Sequence, residues 1–313
     1  MVKVLVLNKQ NIVSGSSNSI FTYKFASTTK FAKGSKIALS KVHMFYSWEN
    51  ITSVNNNMSF SYGWFDNVGT GTKNYTIDIA QGQYSIGDIN DYLYAKLCER
   101  GHYLTYATEA NATFGTSNGN SWSTTTKYVF IEMMENSTYY ACQIRLYVLP
   151  FTTGTYTKPT NVTGFEWAIP TLMTSSNLKA PKFIIPSTNN FKDLIGYASG
   201  SYGSGTLTSV GTKFEDFLST GVPEIDPVGS VLITCSIANN QYSSPNNLID
   251  TFSYGDSDYG MLIKVEPNNL NWIKIHDSSY SDFTIQFLTP LYKKMYIKDD
   301  NTVITFVIDE PDE

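Results

Sequence analysis

The residues able to do chemistry are few and scattered. His43, His102 and His276 are the only histidines. No CxxC pair and no H-E-x-x-H helix frames a metal site around them. His43 falls on a strand face opposite Val42 and Met44, where a surface or satisfied histidine is the favoured reading. The cysteines, Cys98, Cys142 and Cys235, are odd in number and widely spaced. That pattern fits buried thiols better than a disulfide framework. "GSYGSG" at 200–205 is rich in glycine but lacks the Lys-Ser/Thr and helix of a phosphate loop. "GDSDYG" at 255–260 sets Asp256 and Asp258 two apart, a spacing a cation could use, but a solvated turn before the strand at Met261 is the favoured reading. Asp299-Asp300 opens another turn. The expectation is a chain that is not an enzyme, with no catalytic, cofactor-binding or metal-binding residues.

Composition narrows the class. Of 313 residues, 42% are hydrophobic, which suits a globular chain with a substantial core. Only 16% are charged and 14% are aromatic, with 22 Tyr and 18 Phe. Charge is below the roughly 25% of an ordinary soluble domain, while aromatics favour strands and protein contacts. The combination points to a β protein that works inside an assembly. The net charge is −5 and there is no basic arm, so direct nucleic-acid binding is not expected. No apolar run approaches the length of a membrane span, and "MVKVLVLN" lacks the form of a secretion signal. Six N-x-S/T sequons, at Asn50, Asn57, Asn74, Asn111, Asn136 and Asn161, are therefore expected to carry no glycan.

Period-two alternation sets the elements. Phe21, Tyr23 and Phe25 share a face; so do Phe60, Tyr62 and Trp64, then Tyr75, Ile77 and Ile79, then Tyr140 to Val148. Val231 to Ile237, Met261 to Val265, Phe283 to Phe287 and Val303 to Ile308 repeat the pattern. In "SKIALSKVHMFYSWENITSVNNN" the phase slips: Ile37 and Leu39 hold one phase, Val42, Met44, Tyr46 and Trp48 the other. One extra residue near Ser40 predicts a bulged, bent strand that ends in the asparagine-rich turn at Asn55–Asn57. Two segments read as helices. Ser85 caps the first, with Asp88 three residues on and Gly101 as its stop, and Ile86, Ile89, Leu93 and Leu97 line one face. The second is "NNFKDLIGY". Segments 115–126, 151–180 and 199–227 read as elaborated loops. The fold class expected is an all-β, antiparallel two-sheet β-sandwich, a single jelly roll with elaborated insertions and two short helices.

The order of segments carries a resemblance. "SIFTYKF", "KIALSKVHMFYSWENITSVNNNMSFSYGW", "YTIDIAQGQYSIGDINDYLYAKL", "FKDLIGY", "SVLITCSIANNQYSSPNNLIDTF" and "FTIQFLTPLYKKMYIKDDNTVITFVI" span nearly the whole chain. In this order they resemble the single jelly-roll minor capsid, or penton, proteins of virophages and Polinton-like viruses. The resemblance implies one jelly-roll capsid domain over 1–313, with an insertion around 103–181. It implies a structural virion protein that forms a homopentamer at icosahedral vertices. The neighbours would be a double jelly-roll major capsid protein, and assembly would take place in the host cell interior without secretion. Contacts are expected from uncharged loops such as Gly154–Thr163 and Asn239–Asn247.

A carbohydrate-binding β-sandwich, such as a receptor-binding or tail-associated lectin, is the alternative. Trp122 and Trp167 could stack on sugars there, against the simpler reading that they anchor their own loops.

Overall fold

In the computed structural model the described residues are 1–67, 71–106, 127–149, 156–159, 167–169, 179–203, 214–225, 228–255 and 257–311. The chain opens with β1 (Val2–Leu7), β2 (Ile20–Lys30) and β3 (Lys36–Phe45). The middle stretch holds β4 (Ser59–Phe65), β5 (Thr72–Asp78), α1 (Ile86–Glu99), β6 (Leu104–Tyr106), β7 (Lys127–Tyr128), β8 (Ile131–Asn136) and β9 (Ala141–Tyr147). It continues through β10 (Tyr156–Thr157), β11 (Lys182–Ile185), α2 (Phe191–Ile195), β12 (Gly200–Tyr202) and β13 (Phe214–Leu218). The closing stretch holds β14 (Val231–Cys235), β15 (Ala238–Asn239), β16 (Leu248–Phe252), β17 (Leu262–Val265), β18 (Ile273–Ile275), β19 (Ser279–Leu288) and β20 (Val303–Asp309). Two compact units result: Met1–Glu49 with Asp226–Glu313, and Asn50–Ile225.

The first unit is a sandwich of two antiparallel sheets. One runs β1-β20-β3-β18-β15, with β17 also on β3; the other runs β16-β14-β19-β2. Following the chain, β1, β3, β15, the β17–β18 pair and β20 belong to the first sheet, and β2, β14, β16 and β19 to the second. Apart from the step between β17 and β18, each connection crosses from one sheet to the other. This winding is that of a jelly roll. The alternating residues meet between the sheets: Phe21, Phe283 and Phe287 from one, Ile37, Phe306 and Ile308 from the other, all in one apolar cluster. Phe21 and Phe287 pack edge to face with centroids 5.8 Å apart.

The phase slip in β3 is a bulge at Ser40. Against β20, Lys41 pairs with Thr305 and Leu39 with Phe306, so Ser40 has no partner. Ile37 and Leu39 before it, and Val42 and Met44 after it, are all buried, and His43 is turned the other way. The regular strand stops at Phe45, short of Trp48. Tyr46 and Trp48 continue into the same core, and Trp48 forms an isolated bridge with Ile297.

The second unit has its own core. β4 pairs with β5 and β11, and β12 lies outside β11. β9 pairs with β8 and β13, and β6 with β7 and β10. Phe60, Tyr62 and Trp64 from β4 join Phe183, Ile144 and Leu146 in one cluster. Ser85 and Asp88 close a reciprocal capping box on α1. At its other end Gly101 takes a positive φ of 67°. The His102 amide then reaches Leu97 O and the Gly101 amide Cys98 O, a glycine-dependent helix stop. Ile86, Ile89, Leu93 and Leu97 are buried as their spacing predicts. Of the three segments expected to be loops, 199–227 carries β12 and β13. Segment 115–126 lies outside the described residues, as does most of 151–180. The insertion expected around 103–181 falls within Asn50–Ile225.

Candidate assembly surface

Local folding disposes of the reactive residues separately. His102 lies at the C-terminal stop of α1 and is fully buried. Its ring stacks on Trp64 at 5.1 Å, and its Nδ1 lies 2.7 Å from the Tyr62 hydroxyl. Arg100 donates to the Tyr62 oxygen at 3.4 Å, which leaves the phenol proton for Nδ1. Burial raises the Tyr62 phenol well above its usual range; it lowers His102 to about 3, helped by the Arg100 charge. The pair is a neutral packing element, the opposite of a base poised near neutrality. His43 is grouped on the surface with Glu266 and Lys41, at 3.3 Å and 3.1 Å from the Glu266 carboxylate. His276 is exposed, just after β18. His43 and His276 belong to the first unit and His102 to the second.

Cys98, Cys142 and Cys235 are buried thiols outside any disulfide, and burial pushes the Cys142 and Cys235 thiols up to about 12. Asp258 is exposed, and Asp256 lies outside the described residues. Asp299 accepts the Asn301 amide at 2.7 Å, as a turn-forming aspartate does. Gly200–Tyr202 is β12, while Gly205 lies outside the described residues. Among the described residues no group of three or more His, Cys, Asp or Glu could hold a metal ion. Among the described residues no helix is long and apolar enough to cross a membrane.

Trp167 anchors its loop. It is 3% exposed, packs on Trp64 at 5.2 Å and donates its indole N–H to Gly101 O at 3.0 Å. It therefore offers no open ring face for a sugar. Trp122 lies outside the described residues.

The asparagines between Asn50 and Asn57 close the second unit at its ends. Asn50 Nδ2 donates to Ile225 O and to Tyr84 O, each at 2.7 Å, so the first and last residues of the unit are tied together. Asn57 Nδ2 and Asn55 Nδ2 return to Asn50 O at 2.8 and 3.3 Å. Asn56 Nδ2 reaches Thr188 O, and Asn190 Nδ2 reaches Asn55 O. With its donors committed and Asn50 and Asn57 buried, the run has no room for glycan at either sequon.

What remains is a set of exposed apolar side chains. In the loop Asn239–Asn247, Tyr242 is 100% exposed. The loop around it is held: Asn240 Oδ1 accepts the Tyr242 amide at 3.2 Å, Ser243 Oγ donates to Pro245 O at 2.8 Å, and the Tyr292 hydroxyl donates to Ser244 O. Tyr292 and Leu291 beside it are also exposed. In the second unit, Tyr139 and Tyr140 stand out at the tip of the β8–β9 hairpin, Tyr140 with a positive φ of 51°. Such held, aromatic loops can adhere without a large ordering cost. Gly154–Thr163 lies mostly outside the described residues. Sequence reasoning missed Leu291, Tyr292 and Tyr139, and it set Tyr140 on the half-buried strand face with Cys142, whereas β9 begins only at Ala141 and the turn leaves Tyr140 exposed. It also missed the exposed valines of β1, although the V-x-V-x-V run was there to be read.

No family model matches the sequence, and no curated protein does. Among solved structures, the chain is similar to the mavirus penton protein, with 11% identity, 99% of both chains covered and a TM-score of 0.40. It is also similar to a chain in the 3.5 Å cryo-EM structure of the Sputnik virophage, at 10% identity, 98% and 96% coverage and a TM-score of 0.35. Both likenesses run the length of the chain.

Proposed function

We propose that this chain is a penton subunit, a structural protein that closes the fivefold vertices of an icosahedral shell as a homopentamer. Its neighbours in this reading are copies of a double jelly-roll major capsid protein. It takes no cofactor and touches no nucleic acid. The observation that carries the reading is the winding of residues 1–49 and 226–313 into a jelly roll that leaves apolar loop residues such as Tyr242, Leu291 and Tyr292 exposed. A closed ring needs two different patches on each protomer, and Tyr242, Leu291 and Tyr292 supply one of the kind expected. Residues 50–225 form an insertion in the connection between β3 and β14, wider than the 103–181 span expected from the sequence. Reconstruction of purified particles tests the proposal: density for this chain on the fivefold axes is the expected result, and density at general or threefold positions rules it out.

A further inference from the structure

β1 is an edge strand with the pattern of a central one. Leu5 packs against the core and Leu7 is buried in it. On the other face Val2, Val4 and Val6 are 62%, 61% and 50% exposed. Lys3 is tied to Glu310 at 2.5 Å. β1 is bonded only to β20, and among the described residues no strand pairs with its outer edge. A strand apolar on both faces, with a free ladder, is ordinarily covered.

We propose that β1 pairs with β1 of a second copy of this chain, antiparallel about a twofold axis through Val4. The sequence selects both occupant and register. Facing side chains share a side of the sheet only when residues of like phase stand opposite. Three registers satisfy that condition near the strand centre. Centring on Lys3 sets two ammonium groups opposite each other, which is unfavourable. Centring on Leu5 shortens the ladder to residues 3–7. Centring on Val4 pairs residues 1–7 in full, with Val2 opposite Val6 and Lys3 opposite Leu5 of the second copy. All exposed valines then lie together on one face. The strand is self-complementary because its outward residues are symmetric about Val4.

Area sets the strength. About seven residues a side fall well short of the 20–30 of a stable interface, so the pair is weak and reversible. It would cover an adhesive edge in the free protein and open when the chain enters a larger assembly. The inference stands apart from the penton reading, since twofold pairing in solution is tested without particles.

The test uses the full chain. Sedimentation from about 10 µM to 1 mM should show a monomer passing to dimer as concentration rises. Directly opposite residues of an antiparallel pair are within disulfide reach. Val4→Cys should therefore give a cross-linked dimer under mild oxidation, and Val2→Cys should not; the three native thiols are buried and silent. Val4→Lys should remain monomeric with an unchanged melting temperature, since Val4 is exposed. A wild type that stays monomeric to 1 mM overturns the proposal, as does equal cross-linking of the two cysteine variants or a Val4→Lys protein that dimerises like the wild type. Should Val4→Lys misfold, the comparison of the two cysteine variants decides. Monomeric protein whose Val4→Lys variant fails to enter particles would assign the edge to a strand of a different shell protein, again overturning self-pairing.

Discussion

At the scale of single residues, the polar side chains that attract attention in this chain serve packing. His102 is the clearest case. Its ordinary value is 6.5, and burial, with the Arg100 charge, lowers it to about 3 in the fold. A group with a depressed folded value that is neutral when deprotonated resists protonation only while folded. Above about 6.5 neither state is protonated and the full stability is present. Between about 6.5 and 3 the unfolded chain takes up a proton that the folded chain refuses, and stability falls with pH. The loss should reach at most about 1.4 kcal/mol per pH unit from this one group. Denaturant melts at pH 7, 6, 5 and 4 should show this slope, and His102→Gln should flatten it. An equal slope in the variant would place the acid sensitivity elsewhere.

At the scale of elements, the bulge in β3 does the most with one residue. β20 alternates regularly, with Ile304, Phe306 and Ile308 inward. β3 matches it only by leaving Ser40 unpaired, which lets Ile37, Leu39, Val42 and Met44 all face the core. Opposite this region the strand on the other edge of β3 is also broken, into β17 at Phe45–Val42 and β18 at Ile37–Lys36. Deleting Ser40 should turn either Ile37 and Leu39 or Val42 and Met44 outward. Burying a Leu or Ile is worth roughly 1.5–3 kcal/mol each, so the deletion should leave no folded jelly roll. Insoluble expression or loss of the cooperative melt is the expected outcome. A deletion protein that melts within a few degrees of wild type would show that the bulge is optional.

At the scale of the whole molecule, the chain leaves the jelly roll at Glu49 and returns at Asp226. The Asn50–Ile225 hydrogen bond holds the ends of the intervening unit side by side. Replacing residues 50–225 by a short Gly/Ser linker should therefore cost the remaining sheets little in loop closure, because that cost grows only slowly with length. The shortened protein is expected to be soluble, with antiparallel β circular dichroism and a cooperative melt. If it is unfolded although Asn50→Ala in the full chain is well folded, the jelly roll needs the inserted residues.

Much of this organisation is legible in the residues. Period-two alternation placed β2, β3, β4, β5, β9, β14, β17, β19 and β20, because a strand half buried in a sandwich must alternate. The phase slip located the bulge for the same reason. Ser85, Asp88 and Gly101 marked the ends of α1, since capping is a local matter of backbone groups. Other features depended on partners distant in sequence. β13 carries Glu215 and Asp216 and reads as a loop; it is a strand because β9 lies beside it and Arg145 clamps Asp216 at 2.7 and 2.9 Å. β1 shows no one-sided pattern, and only β20 makes it an edge. The asparagines after Trp48 announced a turn, but their partners at Tyr84, Thr188 and Ile225 come from far along the chain. Local backbone preference and alternation are written in neighbouring residues. Which strand stands next to which, and so which apolar side chains stay exposed, is decided only when the chain closes on itself.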